Sequence, residues 1–245
     1  MNIITVGGVA QTSSDALIHD TSARYISDYP ITKPNISAIN RLKIPNCNPT
    51  GSVGTSVAAP QVTACIALMA EYMSDERNYQ ITLFPESIMA ILTATASKTD
   101  DYSCDYGYFD DKVGAGLLNL ERMVSGETIV FDYTFEDAFE GMTHTPHAFT
   151  LQAGQTLQLS LVMFSYISED RDIDSTIFTD YDITIYPLIG ATPLESSGFG
   201  WDSNVELIRY TASTTEVIRI SIEACEDCVH TNGVDYVAWS YCIVE

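Results

Sequence analysis

The segment Gly51-Ser52-Val53-Gly54-Thr55-Ser56-Val57-Ala58-Ala59-Pro60 holds the residue types best suited to chemistry in this chain. A nucleophilic serine needs an exposed hydroxyl at a helix N-terminus, where the partial positive charge of unpaired N–H groups favours a developing oxyanion. It needs small neighbours, so that a substrate backbone can come close. Gly54, Ala58 and Ala59 are small, and Gly54 and Thr55 are the residues expected to line the substrate's approach. It also needs a backbone N–H aimed at the oxyanion, which Ser56 itself can donate. The plain alternative is that Thr55 or Ser56 only caps a helix, since both residue types are favoured there.

Other reactive side chains are less well arranged. His19 precedes Ser56 closely in sequence and falls in an expected surface loop, a poor place for a general base. His144, His147 and His230 read as surface or strand residues. The six cysteines, Cys47, Cys65, Cys104, Cys225, Cys228 and Cys242, are too sparse for a disulfide-held mini-fold. Cys65 sits in an apolar helical run and reads as a core residue. Cys225 and Cys228 form a lone C-x-x-C, with Cys242 on the next expected strand. A local disulfide, free thiols, or a zinc set completed by His230 all suit that spacing; with no second C-x-x-C, no metal is assigned. The acidic run from Glu169 to Asp174 imitates the start of a calcium loop. Ser175 and Tyr181 stand where such a loop wants Gly and Glu, so the run reads as a solvated loop. No cofactor is expected.

Elements that could position Ser56 are legible upstream and downstream of it. Asn2–Val9 is a continuous apolar run ending in Gly7-Gly8, suited to a strand buried on both faces of a parallel sheet. Residues 11–34 read as loop, and Asn35–Ile39 as a second strand. A helix is expected from Thr55 to Met73. Its apolar residues Val57, Val62, Cys65, Ile66, Leu68, Met69 and Met73 cover most of the circumference, which predicts a central, buried helix. A second helix begins at Pro85, with Ile88, Ile91, Leu92 and Thr95 on one face. A short third helix is expected over Leu117–Val124, before Gly126. Beyond Gly126 the helical period disappears. Alternating runs such as Leu157/Leu159/Leu161/Met163, Ile218/Ile220/Ile222 and Val237/Trp239/Tyr241/Ile243 predict antiparallel strands. The chain is therefore expected to be α/β over residues 1–126 and an all-β sandwich or jelly roll over 127–245.

Gly54-Thr55-Ser56-Val57-Ala58-Ala59-Pro60-Gln61-Val62 resembles the nucleophile signature of the subtilisin-like serine peptidases, G-T-S-M-A-[AS]-P-H-V. Val57 replaces the usual Met, and Gln61 the frequent His. Asn2–Val9 is similar to that family's strand before the nucleophile, and Lys33–Ala38 to its K-P-D-[IV]-x-A-P segment. Thr93–Ala96 and Gly114–Asn119 are similar to its closing T-A and G-x-G-x-[LV]-[ND] segments. The resemblance spans residues 2 to about 126 in the family's order. It implies a partial subtilisin-like parallel sheet with helices, and proteolysis by acyl-enzyme chemistry at Ser56. That mechanism also needs a His base held by an Asp, and an oxyanion Asn. The family's D-[ST]-G, H-G-T-H and G-N motifs are not found in this sequence. The chain thus resembles the C-terminal half of a catalytic domain whose upstream half is missing. Without its base, such a site retains at best about 10³–10⁴-fold over water, so the chain alone is expected to be inactive. Residues 180–222 resemble the β-sandwich modules appended to secreted bacterial peptidases. The alternative is a degenerate, non-catalytic peptidase or an adhesion-type binding module.

The 245 residues carry 33 acidic and 11 basic side chains, a formal charge of -22. Such a surface repels nucleic acid and anionic membranes. No apolar run reaches the ~20 residues of a membrane helix. The expected partner is a protein or peptide substrate, with no nucleic acid and no membrane insertion. The N-terminus lacks the pattern of a signal peptide; an extracellular or cell-surface place for the complete protein follows from the resemblance. A half-sheet exposes an apolar edge, so residues 1–126 alone are expected to aggregate, and 127–245 to fold as a soluble unit.

Overall fold

A computed structural model describes residues 3–11, 16–18, 22, 33–44, 48–77, 84–97, 110, 112–125, 129–136, 143–144, 148–165, 181–197, 204–224 and 234–244. The fold is mixed and mostly β, with a few helices. In chain order come β1 (Val6–Gln11), β2 (Ala16–Ile18), β3 (Ile36–Ile39), β4 (Arg41–Ile44) and β5 (Asn48–Val53). The helices α1 (Thr55–Arg77), α2 (Pro85–Ala94) and α3 (Leu120–Met123) follow. The remainder is strands: β6 (Ile129–Glu136), β7 (Thr143–His144), β8 (Ala148–Leu151), β9 (Thr156–Ser165), β10 (Tyr181–Pro187), β11 (Glu195–Ser196), β12 (Val205–Thr211), β13 (Glu216–Ala224) and β14 (Val234–Val244).

β1 pairs with β3 in parallel, from Val6↔Ile36 to Val9↔Ile39, and with β2 antiparallel on its other edge. β1 starts later than its apolar run suggests. Upstream, the Thr5 N–H and hydroxyl donate to the Asn35 side-chain oxygen at 2.9 and 3.1 Å, while the Thr5 carbonyl still accepts from the Asn35 N–H at 3.0 Å, so a side chain takes over one side of the pairing there. β2 lies inside the expected loop. β4 and β5 form an antiparallel hairpin with a register shift between Leu42 and Ile44. Four alternating residues and a Pro-Thr-Gly run are too short a pattern to announce a hairpin. Gly8 lets α1 approach the sheet: a Cβ there would lie 3.1 Å from Asn40 Cβ and 3.3 Å from the Thr55 methyl.

Beyond residue 126 the pairings among the described residues are antiparallel. One sheet runs β11-β10-β13-β7, with β8 also paired to β13; the other runs β12-β9-β14-β6. Their facing sides share one core. Leu157, Leu159, Leu161 and Met163 meet Ile183, Ile185, Ile218, Ile220 and Ile222, as the alternation predicts. Phe149, Trp239 and Tyr241 pack against one another within it, with Phe149 and Tyr241 edge to face at a 4.4 Å centroid distance.

Two further cores tie the halves together. Ile36, Ala38, Val62, Met69, Met73, Ile91 and Leu92 cluster beneath α1, and Leu207 of β12 joins them. Met89 and Ala90 of α2 pack on Val162, Phe164, Val205 and Ala238, the outward side of the β12-β9-β14 sheet. The Thr93 and Ser160 hydroxyls hydrogen-bond at 2.6 Å across this buried seam. Helix α2 is therefore buried on nearly all sides rather than on the single face its sequence suggests. The reverse holds for α1. Ala58, Val62, Met69 and Met73 are buried, but Ser56, Ala59, Pro60, Thr63, Ala64 and Ala67 are exposed, and Leu68 is 50% exposed. A helix enclosed all round is not what is found: the sheet covers one face and leaves the other open.

Candidate active site

Ser56 occupies the first turn of the 23-residue helix α1, with an exposed side chain. Its place is fixed from below by β3. The Asn40 N–H donates to the Val9 carbonyl at 2.8 Å, and the Asn40 carbonyl accepts from the Gly54 N–H at 2.9 Å. Gln61, one turn further along α1, donates from its side chain to the carbonyls of Ile39 and Val57. The end of β3 and the start of the helix are thus sewn together on both sides of the turn.

Gly54 bends the chain into the helix at φ 144°, a conformation that L side chains rarely adopt. A Cβ there would lie 3.4 Å from Ser56 Oγ and 4.0 Å from Ser56 N. Glycine therefore serves twice, permitting the bend and leaving the hydroxyl and its own N–H open on the same side. The Gly54 carbonyl accepts from Val57 N–H at 2.9 Å, closing the first turn. Pro60 has no N–H for the Ser56 carbonyl four residues back, so the ladder is interrupted under the serine. Thr55 is half-buried, its methyl against Gly8.

The serine sits at the C-terminal end of parallel β1 and β3, beside a helix N-terminus, where open α/β sheets place their ligands. Asn40 in the same place escaped sequence reading. It is 1% exposed, and neither atom of its side-chain amide has a hydrogen-bond partner among the described residues. An isolated Asn after a four-residue strand carries no pattern that would have revealed it.

Burial pushes the Lys33 amine down to about 8. It donates to the Ile3 carbonyl at 3.0 Å and to Asn35 Oδ1 at 2.7 Å. These partners mark the opposite end of β3 from Ser56. At about 3.3 Å per residue the strand separates residues 35 and 40 by roughly 16 Å, so Lys33 is no base for Ser56. His19, His147, His230, Cys47, Cys104, Cys225, Cys228, the run Glu169–Asp174 and Trp201 lie outside the described residues, as does the side chain of His144. Cys65 is half-buried against the core under α1, and burial raises its thiol pKa. Cys242 is buried. Among the described residues no group of His, Cys, Asp or Glu is placed to hold a metal, and no helix is long and apolar enough to cross a membrane.

No protein-family model and no curated protein matches this sequence. Among solved structures, PliG of Aeromonas hydrophila, a periplasmic inhibitor of g-type lysozyme, is similar over 48% of this chain and 87% of its own, with 10% identity and a TM-score of 0.33. The acidic stable capsid of Helicobacter pylori bacteriophage KHP30 is similar over 48% of this chain and 93% of that chain, with 14% identity and a TM-score of 0.25. Neither likeness is close enough to carry an argument about this chain.

Proposed function

We propose that Ser56 is the nucleophile of a subtilisin-like serine endopeptidase, to which this chain contributes the strand-turn-helix that carries the serine and a trailing β-sandwich module. The observation that carries this reading is the turn itself. An exposed serine hydroxyl stands in the first turn of a long helix, at the C-terminal end of two parallel strands, after a glycine at φ 144° that keeps the approach open. Acyl transfer needs those features together: an accessible nucleophile, a local N–H and helix dipole to receive the oxyanion, and room for a substrate backbone. Gly54 and Thr55 border that approach. The exposed face of α1, from Ser56 through Ala59, Pro60, Thr63, Ala64 and Ala67 to Leu68, supports a further polypeptide packing here and bringing the Asp, His and oxyanion Asn. The substrate is a protein or peptide, met outside the cell or at its surface.

The test is peptide hydrolysis. This chain alone is expected to give none. Supplied with a polypeptide bearing the Asp-His-Asn set of the resembled family, it is expected to hydrolyse peptides, and Ser56→Ala is expected to abolish that. Hydrolysis surviving Ser56→Ala in the complemented protein would overturn the assignment. Persistent inactivity of the complemented protein would favour a non-catalytic role.

A further inference from the structure

We propose that Gln158 and Arg209, which belong to the β sheets, are positioning residues for the turn that carries Ser56. Gln158 of β9 is 3% exposed. Its side-chain nitrogen donates to the Thr93 carbonyl at 3.2 Å and to the Ala96 carbonyl at 2.9 Å. These lie at the end of α2, where a helix leaves its last carbonyls without N–H partners, so a strand of the other half caps the helix. The Gln158 oxygen accepts from Arg209 Nε of β12 at 3.1 Å, so the amide is satisfied at both ends. The same guanidinium reaches through its terminal nitrogen to the Ala115 carbonyl.

Ala115 and Ala96 belong to two short segments that hydrogen-bond to one another, and the Ala115 segment bonds in turn to Asn35 and β3. Ser97 and Leu117 exchange two backbone bonds of 2.8 and 2.9 Å. Ala115 N–H donates to the Asn35 carbonyl at 2.9 Å, Ser37 N–H to the Gly116 carbonyl at 2.9 Å, and Leu118 N–H to the Ser37 carbonyl at 2.8 Å. The Asn40 carbonyl at the end of β3 then holds Gly54 N–H. An unbroken sequence of hydrogen bonds and one short strand therefore runs from Arg209 and Gln158 to the residue that sets the serine turn. A buried amide with its nitrogen and oxygen both paired, held by a half-buried guanidinium, is confined in its arrangement, so it transmits position as well as stability. The β half thereby fixes where β3 ends, and with it where Ser56 points. Only the purpose of this positioning rests on the Ser56 reading; the geometry stands without it.

Amide hydrogen exchange on the whole chain tests this. In Arg209→Met and in Gln158→Met, exchange at Ala115, Ser37 and Gly54 is expected to rise by about tenfold or more through local opening, while Ile183 and Ile220 inside the β core stay unchanged. Arg209→Lys, which keeps one donor, is expected to fall between wild type and Arg209→Met, and it carries the test if Arg209→Met does not fold. Ile220→Val, which loosens the β core alone, is expected to leave Gly54 unchanged. Acceleration that stops at Ala115 and spares Gly54 would overturn the proposal. So would a rise shared equally by all amides and reproduced by Ile220→Val. None of these readouts depends on Ser56 reacting, so an unreactive serine and a failed positioning role are told apart.

Discussion

Helices α1 and α2 invert the burial their sequences suggest. α1 is apolar nearly all round, yet Ala59, Ala64, Ala67 and Leu68 face solvent. α2 shows one apolar face, yet Ser87, Met89, Ala90, Ile91, Leu92, Thr93 and Ala94 are all buried. The difference lies in what each helix meets. α2 is wedged between the core under α1 and the outward side of the β12-β9-β14 sheet, so both its faces are interior. α1 has a sheet on one side only. A helix whose residues are apolar all round but whose surroundings are one-sided is suited to receive more polypeptide. One whose small and hydroxylic residues are buried is already a joint.

The same contrast separates the outward faces of the two β sheets. Gln158, Ser160, Val162, Phe164, Ala238, Ser240 and Cys242 are buried on the α2 side. On the other sheet, Asp182 stands opposite Glu223 across β10 and β13, and Arg219 lies 4.3 Å over the Tyr186 ring.

The joint predicts its largest effect when α2 is removed. A fragment of residues 127–245 uncovers Val162, Phe164, Val205, Leu207 and Ala238, and is expected to self-associate more strongly than the whole chain, which keeps α2 in place. Sedimentation of both checks this. A monomeric, cooperatively melting 127–245 would break the comparison, and would restore the independence that the change of texture at Gly126 suggests. Within the whole chain, Met89→Ala is expected to cost about 2–5 kcal/mol by urea unfolding, as for other buried large-to-small changes. Leu68→Ala on the open face of α1 should fall within about 0.5 kcal/mol, as surface substitutions usually do. Equal losses would show that the two helices are enclosed alike. At the start of α1, Gly54→Ala forces an L side chain into a positive-φ conformation and is expected to cost about 1–3 kcal/mol.

The smallest effect is on the charged sheet. Burial first, and then the Glu223 charge, raise the Asp182 carboxyl above its ordinary value. A carboxyl raised on folding binds its proton more tightly in the native state. Its ionised form thus opposes folding at neutral pH, and that opposition disappears as pH falls through the raised value. Asp182→Asn is expected to stabilise the protein by about 0.5 kcal/mol at pH 7, the scale of one like-charge cross-strand pair, and to lose that advantage near pH 4. Unfolding free energies at the two pH values decide it.

Much of this was legible in residues. The alternation of Leu157 to Met163, Ile218 to Ile222 and Val237 to Tyr241 does place those side chains in one shared core. The helix start at Thr55, and the parallel strand pair below it, follow from glycine punctuation and short apolar runs. What could not be read is contact at long sequence separation. Gln158 and Ser160 alternate with leucines as solvent-facing residues do, and only a helix more than sixty residues away makes them interior. Arg209 reads as surface charge until its partner Ala115 is known. At the site, Ser56 and Gly54 were readable because each has a type that the turn demands. Asn40 was not, because nothing local requires an amide there.

The most direct test of the nucleophile assignment is the location of a covalent adduct. The chain, complemented with an Asp-His-Asn-bearing polypeptide, is treated with a fluorophosphonate, digested, and the modified peptide is sequenced by mass spectrometry. The account predicts a single phosphonylated residue, Ser56, and no adduct on the chain left uncomplemented. A modification at Ser52 or another serine, with Ser56 untouched, would contradict it.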